Sequence, residues 1–476
     1  MLFNTFSYWV FLLIVFILYW WLNKLSRINL RNSLVLLSSY YFYGSWDERF
    51  LLLIIASSLV DYLCGKHLFR ASKQSTRKLL LGLSLVFNLG LLGFFKYFNF
   101  FIDSFSDFIQ LFGLSANPST LSIILPVGIS FYTFQTLSYT IDIYRKKLEP
   151  VSNPLTFFAF VAFFPQLVAG PIERASNLLP QLQRKQIFDS DDVVAGFRFI
   201  LWGLFKKVVI ADRLSFVVEQ VYNHPAEFSG LNLFVTTILF GIQIYCDFSG
   251  YSDIAIGSAR LLGIRLMDNF RTPYFSTSFR EFWQRWHISL STWFRDYIYI
   301  PLGGNRVSQA RLMFNLFITF LISGFWHGAN YTFLIWGALH GLFLVFEKVL
   351  SKANFRLPSW VKGIFVFTMV NLFWIFFRAQ DLNEAFVIVA KIFSFADGAS
   401  SLWNIVWLND FEFGLSMLLG LSVFIIGEII IGSADVNQAF FSMRPLLRRM
   451  TYYLILVMIF VFGVLQTAPQ FIYFQF

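Results

Sequence analysis

The chain has 476 residues, 57 % apolar and only 13 % charged, against roughly 45–50 % and about 25 % in soluble domains. An ordinary soluble domain is thereby excluded. The net charge of +10 does not point to nucleic acid, because no basic soluble domain or arm is there to carry it; Lys and Arg collect in cytoplasmic loops, so the excess reads as topology.

Apolar runs near the roughly 20 residues that span a bilayer recur along the chain, and the alternating strands of a β-barrel do not. The pattern predicts an all-α polytopic membrane protein with roughly ten to twelve membrane helices. Phe6 to Leu22 comes first, followed by Lys24, Arg27 and Arg31. With no small-residue cleavage site it reads as a retained span, not a removed signal peptide. Lys24 to Arg31 is basic, Trp46 to Arg49 near neutral, and Lys66 to Lys78 holds five Lys/Arg. Asp103 to Thr120 holds none, and Arg145 to Lys147 is basic again. Positive loops inside put the N-terminus outside, with spans ending near residues 22, 45, 65 and 102. Asn117-Pro118 marks a turn in the uncharged gap. Beyond about residue 150 the alternation blurs and sets no orientation.

Two apolar stretches carry Pro and Gly: Leu125-Pro126-Val127-Gly128-Ile129-Ser130, and Phe164-Pro165 through Gly170-Pro171. They read as ordinary kinks or as re-entrant segments, which membranes tolerate only where protein or a cavity satisfies the backbone. Asp247 and Asp253 close the next apolar run, facing either a polar interior or water just reached. Metal binding there is poorly supported, with no His nearby at ligand spacing. Cys64 and Cys246 read as buried apolar thiols.

From Phe275 to Ile300 a helix lying in the interface plane is expected. It sets Phe282, Trp286, Ser289, Trp293 and Tyr297 on one side, with His287 turned away toward protein. A turn-rich loop, Pro301 to Arg306, follows. His327 ends the apolar run from Leu312 to Trp326, and His340 lies inside the run from Tyr331 to Val345. Later spans end at Arg378, Ile431 and Leu465. Between them, Ala379 to Glu412 mixes an amphipathic piece with a Gly/Ser loop. No repeat or soluble domain interrupts the chain, so 1–476 reads as one membrane-embedded domain.

Three of the five histidines fall between Arg280 and Gly341. His67 and His224 read as solvated, and His340 as a hydrogen-bonded packing residue. His287 and His327 suit proton transfer. Burial in an apolar bundle keeps such a ring neutral and able to act as a base. Catalysis and a transporter's proton relay both fit this much.

The motifs themselves resemble the membrane-bound O-acyltransferase family, in its bacterial branch of alginate O-acetyltransferases and their peptidoglycan and cellulose acetylating relatives. The matching pieces are Leu125 to Gln135, Phe164 to Pro171, Asp247 to Asp253, Phe282 to Ser291, Arg295-Asp296-Tyr297, Pro301 to Arg306 and Phe325-Trp326-His327-Gly328. They cover the chain to about residue 390 and weaken over 391–476. Cys246 departs from the aromatic more usual there. The resemblance implies a bundle around a central tunnel, with His327 as catalytic histidine and His287 as the second histidine of the centre. Asn305, Asp253, Arg295, Asp296 and Trp326 are implied as tunnel or supporting residues. It further implies no bound cofactor or metal, and acetyl-CoA as co-substrate from the cytoplasmic side. The implied acceptor is a polysaccharide, or an SGNH-hydrolase-like partner outside a bacterial cytoplasmic membrane. A D-alanyl transferase acting on teichoic acids is the alternative within the family, and a transporter the alternative outside it.

Overall fold

The computed structural model describes residues 1–113, 121–168, 170–351, 357–394, 410–465 and 471–472, and no strand occurs among them. The expected turn at Asn117-Pro118 and the Gly/Ser loop near 398–401 lie outside the described residues. Eight of the described helices are long and apolar enough to cross a membrane: Phe6–Lys24, Glu48–Arg70, Gln74–Gln110, Gly230–Leu261, Tyr331–Leu350, Ser359–Arg378, Phe411–Ile431 and Pro445–Phe462. Two further helices, at 17 and 16 residues, are shorter than the count from the sequence assumed. The chain is a multi-pass membrane protein. Its residues form two compact units, one of 1–193 with 258–267, the other of 194–257 with 268–476.

The first unit holds α1 (Phe6–Lys24), α2 (Ile28–Gly44), α3 (Leu51–Arg70), α4 (Gln74–Leu92), α5 (Phe98–Gln110), α6 (Ile129–Tyr144), α7 (Pro154–Ala162), α8 (Phe164–Leu167) and α9 (Ala175–Gln183). Helices end near the expected 22 and 45, but α5 carries Asp103 and Asp107 within it, where a loop was expected. His67 is exposed near the end of α3, not in a loop.

The two Pro/Gly breaks meet. Gly128 has φ 74°, and a Cβ there would lie 2.7 Å from the Leu167 carbonyl oxygen. The freed backbone groups find partners on α2. Tyr43 Oη donates to the Val127 carbonyl at 2.8 Å, and the Phe164 N–H donates to Ser39 Oγ at 3.0 Å. Protein-lined satisfaction of this kind is what a backbone break at membrane depth requires. Within α3, the fully buried Asp61 accepts from Ser84, from Asn88 at 2.7 Å and from Thr140 at 2.7 Å. That network gives an intramembrane carboxylate its hydrogen bonds.

The second unit begins within α10 (Ser190–Leu204), which passes through a π-helical turn, Phe205–Ala211, into α11 (Asp212–Tyr222). The long α12 (Gly230–Leu261) follows. Its 32 residues make about 48 Å at 1.5 Å per residue. Asp247 and Asp253 therefore sit inside a continuous helix, and the span has not ended there. Small residues let α10 and α12 touch, as in membrane helix pairs. A Cβ on Gly203 would lie 2.6 Å from Gly250 O, and one on Gly257 2.5 Å from Gly196 O. Within each helix the two glycines are seven residues apart, so they share a face.

Downstream come α13 (Phe279–Arg285), α14 (Ile288–Phe294), α15 (Gln309–His327), α16 (Tyr331–Leu350), α17 (Ser359–Arg378) and α18 (Leu382–Ser394). Last are α19 (Phe411–Ile431), α20 (Val436–Ser442) and α21 (Pro445–Phe462). The single helix expected over 275–300 is broken. His287 takes the left-handed conformation, φ 42°, and separates α13 from α14. The tryptophans of this segment face inward: Trp283, Trp286 and Trp293 are buried, so they pack on protein and form no lipid-facing side. Backbone hydrogen bonds from elsewhere override the local period. The Arg271 N–H donates to Arg285 O at 2.9 Å, and the Ile288 N–H to Asn269 O at 2.9 Å.

Candidate active site

All three histidines of the 280–341 stretch are buried in the second unit. Each is placed by a different local device. His287 occupies the break between two seven-residue helices. A left-handed non-glycine residue costs on the order of 1–3 kcal/mol and persists only where its surroundings hold it. Asn269 does much of the holding. Its backbone oxygen accepts from Ile288 N–H, and its side-chain oxygen lies 3.0 Å from His287 Nδ1. The same oxygen accepts from Ser289 Oγ at 2.9 Å and Ser289 N–H at 3.4 Å. Asn269 Nδ2 then donates to Ser252 Oγ on α12 at 3.0 Å. The His287 ring meets Phe248 edge-on at 4.6 Å between centroids. His287 lies outside the eight long apolar helices, and its full burial pushes its proton affinity well below the ordinary histidine value.

His327 is the last residue of α15. The next residue must be small, because a Cβ at Gly328 would collide with the Phe333 ring. Rings enclose His327, with Trp326 at 4.9 Å, Trp336 at 5.0 Å and Phe377 at 5.4 Å. The Trp326 ring lies 6.4 Å from that of His287, so one indole borders both histidines. Trp336 in turn borders His340 at 4.9 Å. Trp283 Nε1 donates to His340 Nδ1 at 3.3 Å, the packing arrangement expected of that residue.

The remaining expected residues divide. Asp253 is buried and pairs with Lys206 Nζ at 2.7 Å. Lys206 also donates to Ser249 Oγ at 2.8 Å. Its neighbour Lys207 bridges Asp212 and Asp247, both at 2.7 Å. The π-helical turn sets both consecutive lysines inward, a local irregularity frequent at functional sites. A cleft with about 30 Å³ of free space is lined by Lys206, Tyr245, Asp253, Asn269 and Glu428 among others. That is room for about one water. By contrast Asn305 is exposed while His287 is fully buried, so the asparagine bound to His287 is Asn269. Arg295 pairs with its own neighbour Asp296 at 2.8 Å in a largely exposed position.

Asn269, Lys206 and Lys207 were not singled out from the sequence. Paired lysines inside an apolar run were a legible signal, since membrane charges need partners. Asn269 gave none, because its role depends on a hydrogen bond across 18 residues of chain.

The second unit buries His287 and His327 against one indole, that of Trp326, and the relatives of the chain are acyl-transfer enzymes. The signature of the membrane-bound O-acyltransferase family matches residues 145–380. A probable alginate O-acetylase of Pseudomonas aeruginosa is 40 % identical over 445 residues, 92 % of this chain and 82 % of that protein. The peptidoglycan O-acetyltransferase of Helicobacter pylori is 37 % identical, over 81 % of this chain and 78 % of its own. A teichoic acid D-alanyltransferase of Streptococcus thermophilus is more distant, at 28 % over 57 % of this chain and 72 % of its own. The chain belongs to the membrane-bound O-acyltransferase family. It is a membrane O-acetyltransferase that takes its acyl group from a donor co-substrate.

Proposed function

We propose that the chain moves an acetyl group from cytoplasmic acetyl-CoA to a hydroxyl on the far side of a bacterial cytoplasmic membrane. The hydroxyl belongs to an extracytoplasmic polysaccharide, or to an SGNH-hydrolase-like partner that modifies one. The N-terminus lies outside, and the two units serve one activity. The observation that carries this reading is the pair His287 and His327, both buried and both bordering the Trp326 ring. Relatives that acetylate alginate and peptidoglycan support the acceptor class.

In the proposed reaction His327 takes the proton of the acceptor hydroxyl. The oxygen attacks the thioester carbonyl carbon, the C–S bond breaks, and the leaving thiolate receives the proton back from His327. Base catalysis of this kind contributes about 10²–10⁴-fold. His287 orients the reacting groups. Direct transfer is favoured over an acyl-serine, because the Ser289 hydroxyl and His287 share the amide oxygen of Asn269, and an amide completes no Ser-His-acid arrangement. The test is transfer from labelled acetyl-CoA by the protein in reconstituted membranes, with and without the candidate partner, read by mass spectrometry of the product. Absence of acetylated product with the partner and polysaccharide both supplied would refute it.

A further inference from the structure

We infer that Asn269 is a positioning residue that fixes His287 in the Nδ1–H tautomer, so that Nε2 carries the lone pair and His287 enters the reaction as a hydrogen-bond acceptor. The inference rests on the reading of His287 as part of the reaction centre.

The orientation of the amide decides the tautomer. The Ser289 N–H, 3.4 Å from Asn269 Oδ1, can only donate. The amide atom facing it must therefore be the oxygen. The hydroxyl of Ser289 points its proton at the same oxygen, at 2.9 Å. On the other side Nδ2 finds an acceptor in Ser252 Oγ at 3.0 Å. Toward the oxygen so fixed, His287 Nδ1 at 3.0 Å can only donate; the Ser289 hydroxyl also lies 3.4 Å from Nδ1, but the shorter contact, 2.9 Å to Oδ1, takes its proton. A neutral imidazole carries one proton. Placing it on Nδ1 leaves Nε2 as the acceptor. The surroundings keep the ring neutral: Phe248, Phe270 and Trp326 border it, and the amide, unlike a carboxylate, brings no charge.

Two consequences follow. In this tautomer neutral His287 has no proton at Nε2 to offer a developing oxyanion, so it serves by accepting from a substrate N–H or O–H. The site also differs from a histidine–carboxylate pair, in which the acid stabilises the imidazolium. An outer partner that orients a histidine and sets its basicity is a recognised device.

The test compares Asn269→Leu with Asn269→Asp in the full chain, in lipid vesicles. The readouts are coenzyme A release from acetyl-CoA with alginate oligosaccharide as acceptor, and the ¹⁵N signals of the His287 ring. The wild-type ring should show Nδ1 protonated and Nε2 bare; the reverse pattern overturns the inference. Asn269→Leu should lower kcat between about 10-fold and 10⁴-fold, the span between loss of an outer partner and a wrong tautomer, with the KM for acetyl-CoA little changed. Wild-type kcat in that variant overturns the inference. Asn269→Asp keeps the acceptor and adds a charge, so activity should return with the acid limb of the pH profile moved to higher pH. If the leucine variant does not fold, an unmoved acid limb in a folded Asn269→Asp protein overturns the inference by itself. A fully active His287→Ala protein would refute the reading of His287 instead, and the ring signals would still report on Asn269.

Discussion

Gly324 on α15 and Gly337 on α16 lie against each other: a Cβ on Gly324 would sit 2.9 Å from Gly337 Cα, and one on Gly337 3.0 Å from Gly324 Cα. The contact lies three residues before His327 and one residue after Trp336, the ring that borders it. Any side chain here pushes the two helices apart and opens the aromatic enclosure. Gly324→Ala should therefore lower the melting temperature of the purified protein by an amount matching the roughly 1–3 kcal/mol of overpacking, and impair acetyl transfer. Gly82→Ala on α4, where a Cβ meets nothing within 4 Å, is the control. It should keep activity and gain up to about 1 kcal/mol of helix propensity. Equal behaviour of the two variants would refute the close-contact argument.

The three histidines should separate under substitution. His327→Ala is expected to reduce transfer by about 10²–10⁴-fold, the usual worth of a general base, with the protein still folded and in the membrane. Full transfer by a well-expressed His327→Ala protein removes it from the mechanism. His287→Ala should also be severely impaired. His340→Gln keeps an acceptor for Trp283 and should retain most activity. A loss in His340→Gln as deep as in His327→Ala would move the centre along the aromatic chain toward Trp336.

Much of this was legible in the sequence, and the failures have physical causes. Helix α15, ending on His327, and α16, enclosing His340, follow from apolar runs bounded by polar caps. Asn330, for one, caps α16 by accepting from Thr332 N–H. The adjacency of the two Pro/Gly breaks was legible only as two irregular stretches; their meeting depends on Gly128 reaching the backbone of Leu167. The failure at 275–300 is more instructive. Its spacing fits one amphipathic helix, and tertiary bonds from 269–271 break it at His287. Local periodicity holds no information about a partner strand of backbone that comes from another loop. For the same reason Asn305, inside the Pro301 to Arg306 motif, could be named from the sequence, and Asn269 could not.

Lys207 ties α12 to the π-helical turn and start of α11. Its side chain is 1 % exposed, and its two carboxylate partners 2 % and 5 %. Asp247 also accepts from the Ile472 N–H at 2.8 Å, so the cation anchors part of the C-terminal segment. Lys207→Met leaves two buried carboxylates without their counter-charge. Breaking such a pair costs about 3–5 kcal/mol, so the variant should express poorly or melt far below wild type. Adding Asp212→Asn and Asp247→Asn removes the orphaned charges and should recover part of the loss. No recovery in the triple variant, measured by thermal unfolding in detergent, would show that the lysine acts through something other than charge balance.

Arg31 gives the clearest case of a charge whose meaning changes with structure. In the sequence it belongs to the basic stretch that sets the first loop inside. In the fold it is fully buried on α2. Its guanidinium donates to Leu182 O at 2.5 Å and Arg184 O at 2.9 Å, at the end of α9, and to Asn23 Oδ1 at 3.1 Å and Asn32 Oδ1 at 3.0 Å. The last carbonyls of a helix lack partners within it, and a cation placed there also meets the negative end of the helix dipole. Lysine keeps the charge but not the planar fork, and it cannot reach four acceptors in these directions at once. Arg31→Lys should therefore preserve topology, since Lys24 and Arg27 remain, and should still destabilise. Each buried acceptor left unmade costs about 1–3 kcal/mol. The expected result is unchanged accessibility of the loop in membrane-sidedness labelling, together with a lower melting temperature and normal transfer per folded molecule. Wild-type melting of Arg31→Lys would mean that the guanidinium fork does not hold α2 to the end of α9.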